Sequence, residues 1–168
     1  LDIVLEKYHK TLTREEKVRY AEEKNNFYKE LLRNMSPADL SLEVKETLDQ
    51  LKRKGLKLAI GSSSKNAGFI LERIGLAGYF DAVSDGNNIS NSKPDAEVFL
   101  KAAQFMKLEP KDCLVVEDSA AGLQAAVNGK MDCAAIGDAV KSELATYKLQ
   151  SFKDLLTAVE DGLQSNDE

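Results

Sequence analysis

The chain has 168 residues, which is enough for one domain of ordinary size with a core of its own. Its formal net charge of −5 argues against a nucleic-acid partner, because contacts to phosphate groups need a basic surface. No apolar run approaches the roughly 20 residues of a membrane-spanning helix, so we expect neither nucleic acid nor a membrane as a partner.

The first 34 residues have the periodic pattern of charged helices. Apolar side chains recur on one helical face within residues 1–8. Thr13 is followed three residues later by Glu16, a capping-box pattern that predicts a second helix running toward Leu32. We therefore expect a helical unit over residues 1–34.

From residue 42 onward, helical and strand-like patterns alternate along the chain. This alternation is typical of parallel strands joined by helices, so it predicts a doubly wound, Rossmann-like α/β sheet. We expect the polar tail from residue 161 to be frayed. The predicted helices cover 42–54, about 69–76, 93–106, 120–129 and 152–159. The predicted strands cover 56–61, 113–118 and 132–139, and a short strand with a turn is predicted over 79–86.

The two cysteines, Cys113 and Cys133, both lie in apolar strand-like runs and are expected to be small buried side chains. Two thiols without the spacing of a metal site suit a reducing compartment. We therefore expect a cytoplasmic protein, and we expect it to be a monomer.

In a doubly wound sheet, ligands bind at the carboxyl ends of the strands. The first such place is GSSSKN, where Ser62 offers a hydroxyl and the amides of Ser63 and Ser64 can point toward a bound phosphate. Lys65 and Asn66 add a cation and an amide donor. The alternative is an ordinary helix N-terminus with spare serines.

The second place is NSKPD, where Lys93 precedes a proline. Proline restricts the residue before it to an extended form and is favoured in the first turn of a helix. This arrangement predicts a lysine held at a loop-to-helix junction, with its ammonium available to a phosphate. The alternative is a solvated surface lysine.

The third place is VVEDS, where Glu117 and Asp118 end a buried strand. Two carboxylates suit a hard cation such as Mg²⁺, which binds through one or two carboxylates together with phosphate oxygens and water. The alternative is an acidic cap, with Asp118 or Ser119 capping the following helix. In this order, the three places supply the recurring parts of phosphoryl transfer, although no nucleophile is evident among them.

These stretches resemble the second, third and fourth motifs of the haloacid dehalogenase superfamily of phosphotransferases; they are GSSSKN, SKPDAEVF and VVEDSAAGLQAA. Two further stretches, EEKNNFY and MSPADL, are similar to the cap helices and the return to the core in the sugar-phosphate mutases of this superfamily. The resemblance implies a haloacid dehalogenase-like core over 35–168 and the C-terminal part of a helical cap domain over 1–34.

The resemblance also implies roles for individual residues. Ser62, the Ser63 amide and Lys93 would bind the phosphoryl group that is transferred. Glu117 and Asp118 would hold Mg²⁺. The second phosphate of the substrate, which is not transferred, would be bound by Ser64, Lys65 and Asn66, and Lys24 of the cap would reach the sugar or its bridging oxygens.

The first motif of the superfamily, DxDGT or DxDGV, is absent from this sequence. It supplies the aspartate nucleophile, so the resemblance implies that the nucleophile lies outside this chain, on a missing N-terminal segment. That segment also forms the central strand, between the strand that ends at Ser62 and the one that ends at Glu117. Without it, we expect a gap in the sheet.

The implied activity is Mg²⁺-dependent interconversion of β-D-glucose 1-phosphate and glucose 6-phosphate through an aspartyl-phosphate. A sugar-phosphate phosphatase is an alternative, because water and a sugar hydroxyl are interchangeable acceptors. For the 168 residues alone, a catalytically inactive fragment is the third possibility.

Overall fold

The computed structural model describes residues 12–165, which form helices that alternate with short parallel strands. The predicted doubly wound α/β class is confirmed, whereas the helix expected in residues 1–8 lies outside the described residues. The helices are α1 (Arg14–Arg33), α2 (Leu42–Arg53), α3 (Ala67–Arg73), α4 (Glu97–Met106), α5 (Ala120–Asn128) and α6 (Leu155–Ser165). The strands are β1 (Ala59–Gly61), β2 (Ala82–Ser84), β3 (Leu114–Glu117), β4 (Asp132–Ala135) and β5 (Tyr147–Lys148).

The strands of the described residues form two separate parallel sheets. β1 pairs with β2, and β4 lies between β3 and β5. A groove of about 820 Å³ lies between them, lined by apolar side chains of β1 and β3 and by Glu117 and Asp118. The sheet is thus split where the sequence predicts a gap.

Helices cover both faces of the larger sheet, because alternate strand residues point to opposite sides. Val115 and Cys133 pack with apolar side chains of α4 and α5, including Leu123, which is fully buried. On the other face, Ala134 packs with α2 and α6 through Leu51. The two cysteines are unpaired; Cys133 is buried as predicted, whereas Cys113 is only half-buried.

Helix α1 begins at the predicted capping box. The Thr13 hydroxyl accepts a hydrogen bond of 3.2 Å from the Glu16 amide, and the Glu16 carboxylate accepts one of 2.9 Å from the Thr13 amide. The far end of α1 is attached to helix α3 by Arg73, whose guanidinium donates to the backbone oxygens of Arg33 and Met35. No described helix is both long and apolar enough to cross a membrane.

Several predicted boundaries are wrong. The helix after Lys93 begins only at Glu97, because the loop continues to Ala96, the N-cap residue. The strand predicted over 132–139 ends at Ala135, since a 3₁₀ turn over Gly137–Lys141 opens with a glycine at φ 62°. Helix α6 continues to Ser165, into the tail that was expected to be frayed from residue 161.

Candidate functional site

Lys93, in the loop between β2 and α4, contacts Glu117 at the end of β3. The Lys93 ammonium donates to Glu117 Oε1 and forms an ion pair with it. The side chains are 17% and 8% exposed, so both charges are largely removed from water. Lys93 is therefore a fixed charge at the end of β3, and its interpretation as a solvated surface lysine is wrong.

The other oxygen of Glu117 is held by the start of helix α5. Glu117 Oε2 accepts from the amides of Asp118 (3.2 Å) and Ser119 (3.3 Å) and from the Ser119 hydroxyl (2.9 Å). Ser119 is also the N-cap of α5, because its hydroxyl accepts from the Gly122 amide at 3.1 Å. Ser119 thus caps the helix, as one alternative proposed, and Asp118 remains exposed.

Two glycines make room for this ion pair. A Cβ atom on Gly122 would lie well under 3.0 Å from the Glu117 carboxylate, closer than real Cβ atoms approach other atoms. A Cβ on Gly61 would lie 2.6 Å from a ring carbon of Phe99. The Phe99 ring in turn lies under the Lys93 ammonium, 4.6 Å from its centre, in a cation–π contact.

The loop that carries Lys93 is fastened by Glu97. The Glu97 carboxylate accepts from the amides of Ser90 and Asn91 and forms an ion pair of 2.8 Å with Lys101. The hydrogen bond from Lys101, followed by those from Asn91 and Ser90, lowers the pKa of Glu97 to about 2. The carboxylate is therefore ionised and holds the loop throughout the physiological pH range.

The 62–66 loop is organised by its own serines. The Ser62 hydroxyl accepts from the Ser64 amide, and the Ser64 hydroxyl accepts from the Asn66 amide, both at 3.1 Å. The Ser64 amide is therefore occupied by this bond. The prediction that it points toward a bound phosphate is wrong. Among described residues, no acceptor contacts the Ser63 amide, and its role as a phosphate donor stays a prediction.

The end of β2 and the turn after it bind the backbone of this loop. The Ser62 amide donates to the Ser84 oxygen at 2.9 Å, and the Asn87 side chain donates to the Lys65 oxygen at 3.0 Å. A Cβ on Gly86 would lie 2.6 Å from the Ser63 oxygen, so the loop backbone rests directly on a glycine. These contacts fix the loop independently of any serine cap on α3.

Helix α1 reaches the 62–66 loop through Asn25, which accepts a hydrogen bond of 3.0 Å from the side chain of Asn66. Lys24 is the adjacent residue of α1 and is exposed, as is Lys65 in the loop. Lys24 thus lies next to the α1 residue that contacts the loop, and its contact with the sugar stays a prediction.

The acids fit the predicted Mg²⁺ in part. Within residues 12–165, no three His, Cys, Asp or Glu side chains come together as a ligand set. Asp118 is exposed and its carboxylate accepts no hydrogen bond from the described residues, so it could hold a cation. Both oxygens of Glu117 are engaged by Lys93 and the start of α5, and its role as a ligand stays a prediction.

The structure therefore joins Lys93 to the acid pair, and Asn66 to the helix that carries Lys24. Sequence reasoning missed Asn25, Glu97 and Phe99 as members of the site. The signal for Glu97 was a carboxylate four residues before a lysine at a helix start, whereas Asn25 and Phe99 carry no local signal because their contacts are distant in sequence.

Comparison with known proteins follows the same motifs. The profile of haloacid dehalogenase-like hydrolases matches residues 2–136. The crystal structure of β-phosphoglucomutase from Clostridium difficile superposes with a TM-score of 0.90 at 30% identity, over 98% of this chain and 75% of that one.

Two curated relatives differ in their named activities. The β-phosphoglucomutase of Bacillus subtilis is 34% identical over 125 residues, which are 74% of this chain and 55% of that protein. A phosphorylated carbohydrates phosphatase of Thermotoga maritima is 35% identical over 112 residues, 66% of this chain and 49% of that protein. The chain spans about half the length of these relatives. With its three motifs in order on the expected sheet, the chain belongs to the haloacid dehalogenase-like hydrolases.

Proposed function

We propose that the chain is part of a Mg²⁺-dependent β-phosphoglucomutase, which interconverts β-D-glucose 1-phosphate and glucose 6-phosphate. The observation that carries this proposal is the likeness to the Clostridium difficile mutase, which extends over 98% of the chain and therefore includes helix α1. A mutase must hold a phosphate at each end of its bisphosphate intermediate, and α1 with the 62–66 loop offers the second of these sites.

The transferred phosphoryl group would be bound by Ser62, Ser63 and Lys93. The Ser62 hydroxyl accepts a bond from Ser64 and so keeps its own proton to donate. The Ser63 amide is a second donor. Lys93 is held by Glu117 at the strand end and would neutralise phosphoryl charge as a compact cation.

The second phosphate would be bound by Ser64, Lys65 and Asn66. Ser64 would act through its hydroxyl, which accepts from the Asn66 amide and retains a proton to donate. Lys65 is exposed and would supply charge. Lys24 would reach the sugar or its bridging oxygens from α1.

Asp118, with Glu117 beside it, would hold Mg²⁺ at the end of β3. When bound, the ion would offset negative charge on the phosphoryl oxygens. Asp118 has the freer carboxylate, so it is the better direct ligand.

The aspartate nucleophile would lie outside this chain, on a strand between β1 and β3. The apolar groove there is bounded by one strand of each sheet and reaches Glu117 and Asp118. The 168 residues alone would then bind ligand without turnover.

The test is to assay the chain, and the complete natural protein that contains it, with β-glucose 1-phosphate and Mg²⁺. We expect glucose 6-phosphate, detected by a coupled dehydrogenase, from the complete protein and none from the chain alone. Release of inorganic phosphate without glucose 6-phosphate would exclude the mutase. Turnover by the verified 168-residue chain would show that the nucleophile is not missing.

A sugar-phosphate phosphatase is the second candidate. It is favoured by the Thermotoga maritima relative, whose identity of 35% equals that of the mutase relative within one point. In that case Lys93, Ser62 and the acid pair would act as described, and water would take the place of the sugar hydroxyl as acceptor.

A further inference from the structure

Asn25 is set apart from its neighbours on helix α1. From residue 21 to residue 30 it alone is half-buried, and the other nine residues are exposed. Its Oδ1 atom accepts the hydrogen bond of 3.0 Å from Nδ2 of Asn66, which is 41 positions away in sequence and only 7% exposed. The middle of a charged, exposed helix is thus tied to a buried side chain of the 62–66 loop.

Another polar attachment of α1 is made by Arg73 of helix α3, which donates to the backbone oxygens of Arg33 and Met35 at the C-terminal end of α1. Asn25 lies about 12 Å from that end, given the rise of an α-helix. The attachment at Arg73 ends on backbone atoms, whereas that at Asn25 ends on a residue of the proposed second phosphate site.

The chemistry of a carboxamide makes the contact directional. Asn66 has two side-chain N–H donors and one acceptor oxygen. One N–H donates to Asn25, and the backbone amide of Asn66 is already bonded to Ser64. The bond to Asn25 therefore sets which side of the carboxamide carries the NH₂ group, and no acceptor among the described residues takes its second N–H. Rotation of the group would present its oxygen to the phosphate instead.

We propose that Asn25 is a positioning residue for the second phosphate site: it holds the Asn66 carboxamide with an N–H toward the ligand and thereby couples helix α1 to sugar-phosphate binding. The inference rests on the proposed function, which assigns Asn66 to the phosphate that is not transferred.

The first test is titration of the 168-residue chain with glucose 6-phosphate by calorimetry. Asn25→Ala should weaken binding by about 3- to 10-fold, the effect of one hydrogen bond between neutral groups. Asn26→Ala is the matched control, because it removes the same side chain from the next, exposed position of α1. In an Asn66→Ala background, Asn25→Ala should have no further effect. Equal affinity of Asn25→Ala and the unchanged chain overturns the proposal.

The second test is the ¹⁵N NMR signal of the Asn66 side-chain NH₂ group. It should shift in Asn25→Ala, stay in place in Asn26→Ala, and stay hydrogen-bonded in Asn25→Asp, which keeps the acceptor oxygen. A merely loosened helix would not produce this pattern, and an unshifted signal in Asn25→Ala overturns the proposal. If the unchanged chain binds no glucose 6-phosphate, the proposed function fails there, and this signal alone decides the role of Asn25.

Discussion

Substitution of Gly122 by alanine tests how the ion pair is held. Gly122 is buried in the first turn of α5, and a Cβ atom there would overlap the Glu117 carboxylate. Glu117 must then move, together with its bonds to Lys93 and Ser119. The clash is with a side chain rather than with backbone, so the fold can survive by displacing Glu117.

The expected cost follows from three contributions. Forcing an extra methyl group into a packed site costs about 1–3 kcal/mol. Separation of a buried ion pair costs about 3–5 kcal/mol when one charge is left without its partner, and less where Lys93 can turn toward water. Alanine regains up to about 1 kcal/mol over glycine in a helix. We expect a net loss of about 2–4 kcal/mol, or about 5–15 °C in Tm for a chain of this size.

The assay is thermal unfolding of the chain followed by circular dichroism. Gly68→Ala is the matched control, because a Cβ at this other helical glycine would meet nothing within 4 Å and should leave Tm unchanged or raise it. In a Glu117→Ala background, most of the cost of Gly122→Ala should disappear. The reasoning is refuted if Gly122→Ala has the same Tm as the unchanged chain, or if it lowers Tm equally with and without the Glu117→Ala substitution.

Two further predictions concern pH. The lowered pKa of Glu97 means that its stabilisation is present above pH 4.5 and is lost as the pH falls toward about 2, so acid unfolding should be shallower in Glu97→Gln; equal slopes would contradict this. Burial, then the hydrogen bond of 2.8 Å to Asp49, raises the pKa of Tyr79 to about 12. Its stabilisation is present below pH 10 and is lost as the pH rises toward 12. Stability should therefore fall less steeply with pH in Tyr79→Phe over this range, and an unchanged pH profile would exclude Tyr79 as the cause of the alkaline loss.

The fold class could be predicted because helical and strand-like patterns alternate visibly along the sequence from residue 42 onward. The capping box at Thr13 is a local pattern, and the structure confirms it. The strand β5 was missed because two residues are too short for any alternation to be visible. The start of α4 was misplaced because the preference of proline for a first helical turn is only statistical, and here Pro94 lies in the loop three residues before Glu97.

The site could be predicted only where its polar residues carry a local sequence signal. Ser62, Lys93 and Glu117 follow apolar strands or precede proline, which are local signals. That Lys93 pairs with Glu117 was not visible, since the two are 24 positions apart and meet only after the strands are arranged. The role of Gly122 could not be predicted because a glycine in a helix can have many causes. Only the position of the Glu117 carboxylate in the structure identifies the one that applies here.

The split sheet gives the Lys93–Glu117 pair a structural meaning beyond the site. Helix α4, which follows the Lys93 loop, packs on β1 and β2, whereas Glu117 ends β3 in the other sheet. The pair therefore joins the two sheets at the end of the groove, and Phe99 joins them again through Gly61 and the α5 core. Because both links also set the position of the Lys93 ammonium, any segment that fills the groove meets a charge that is already in place.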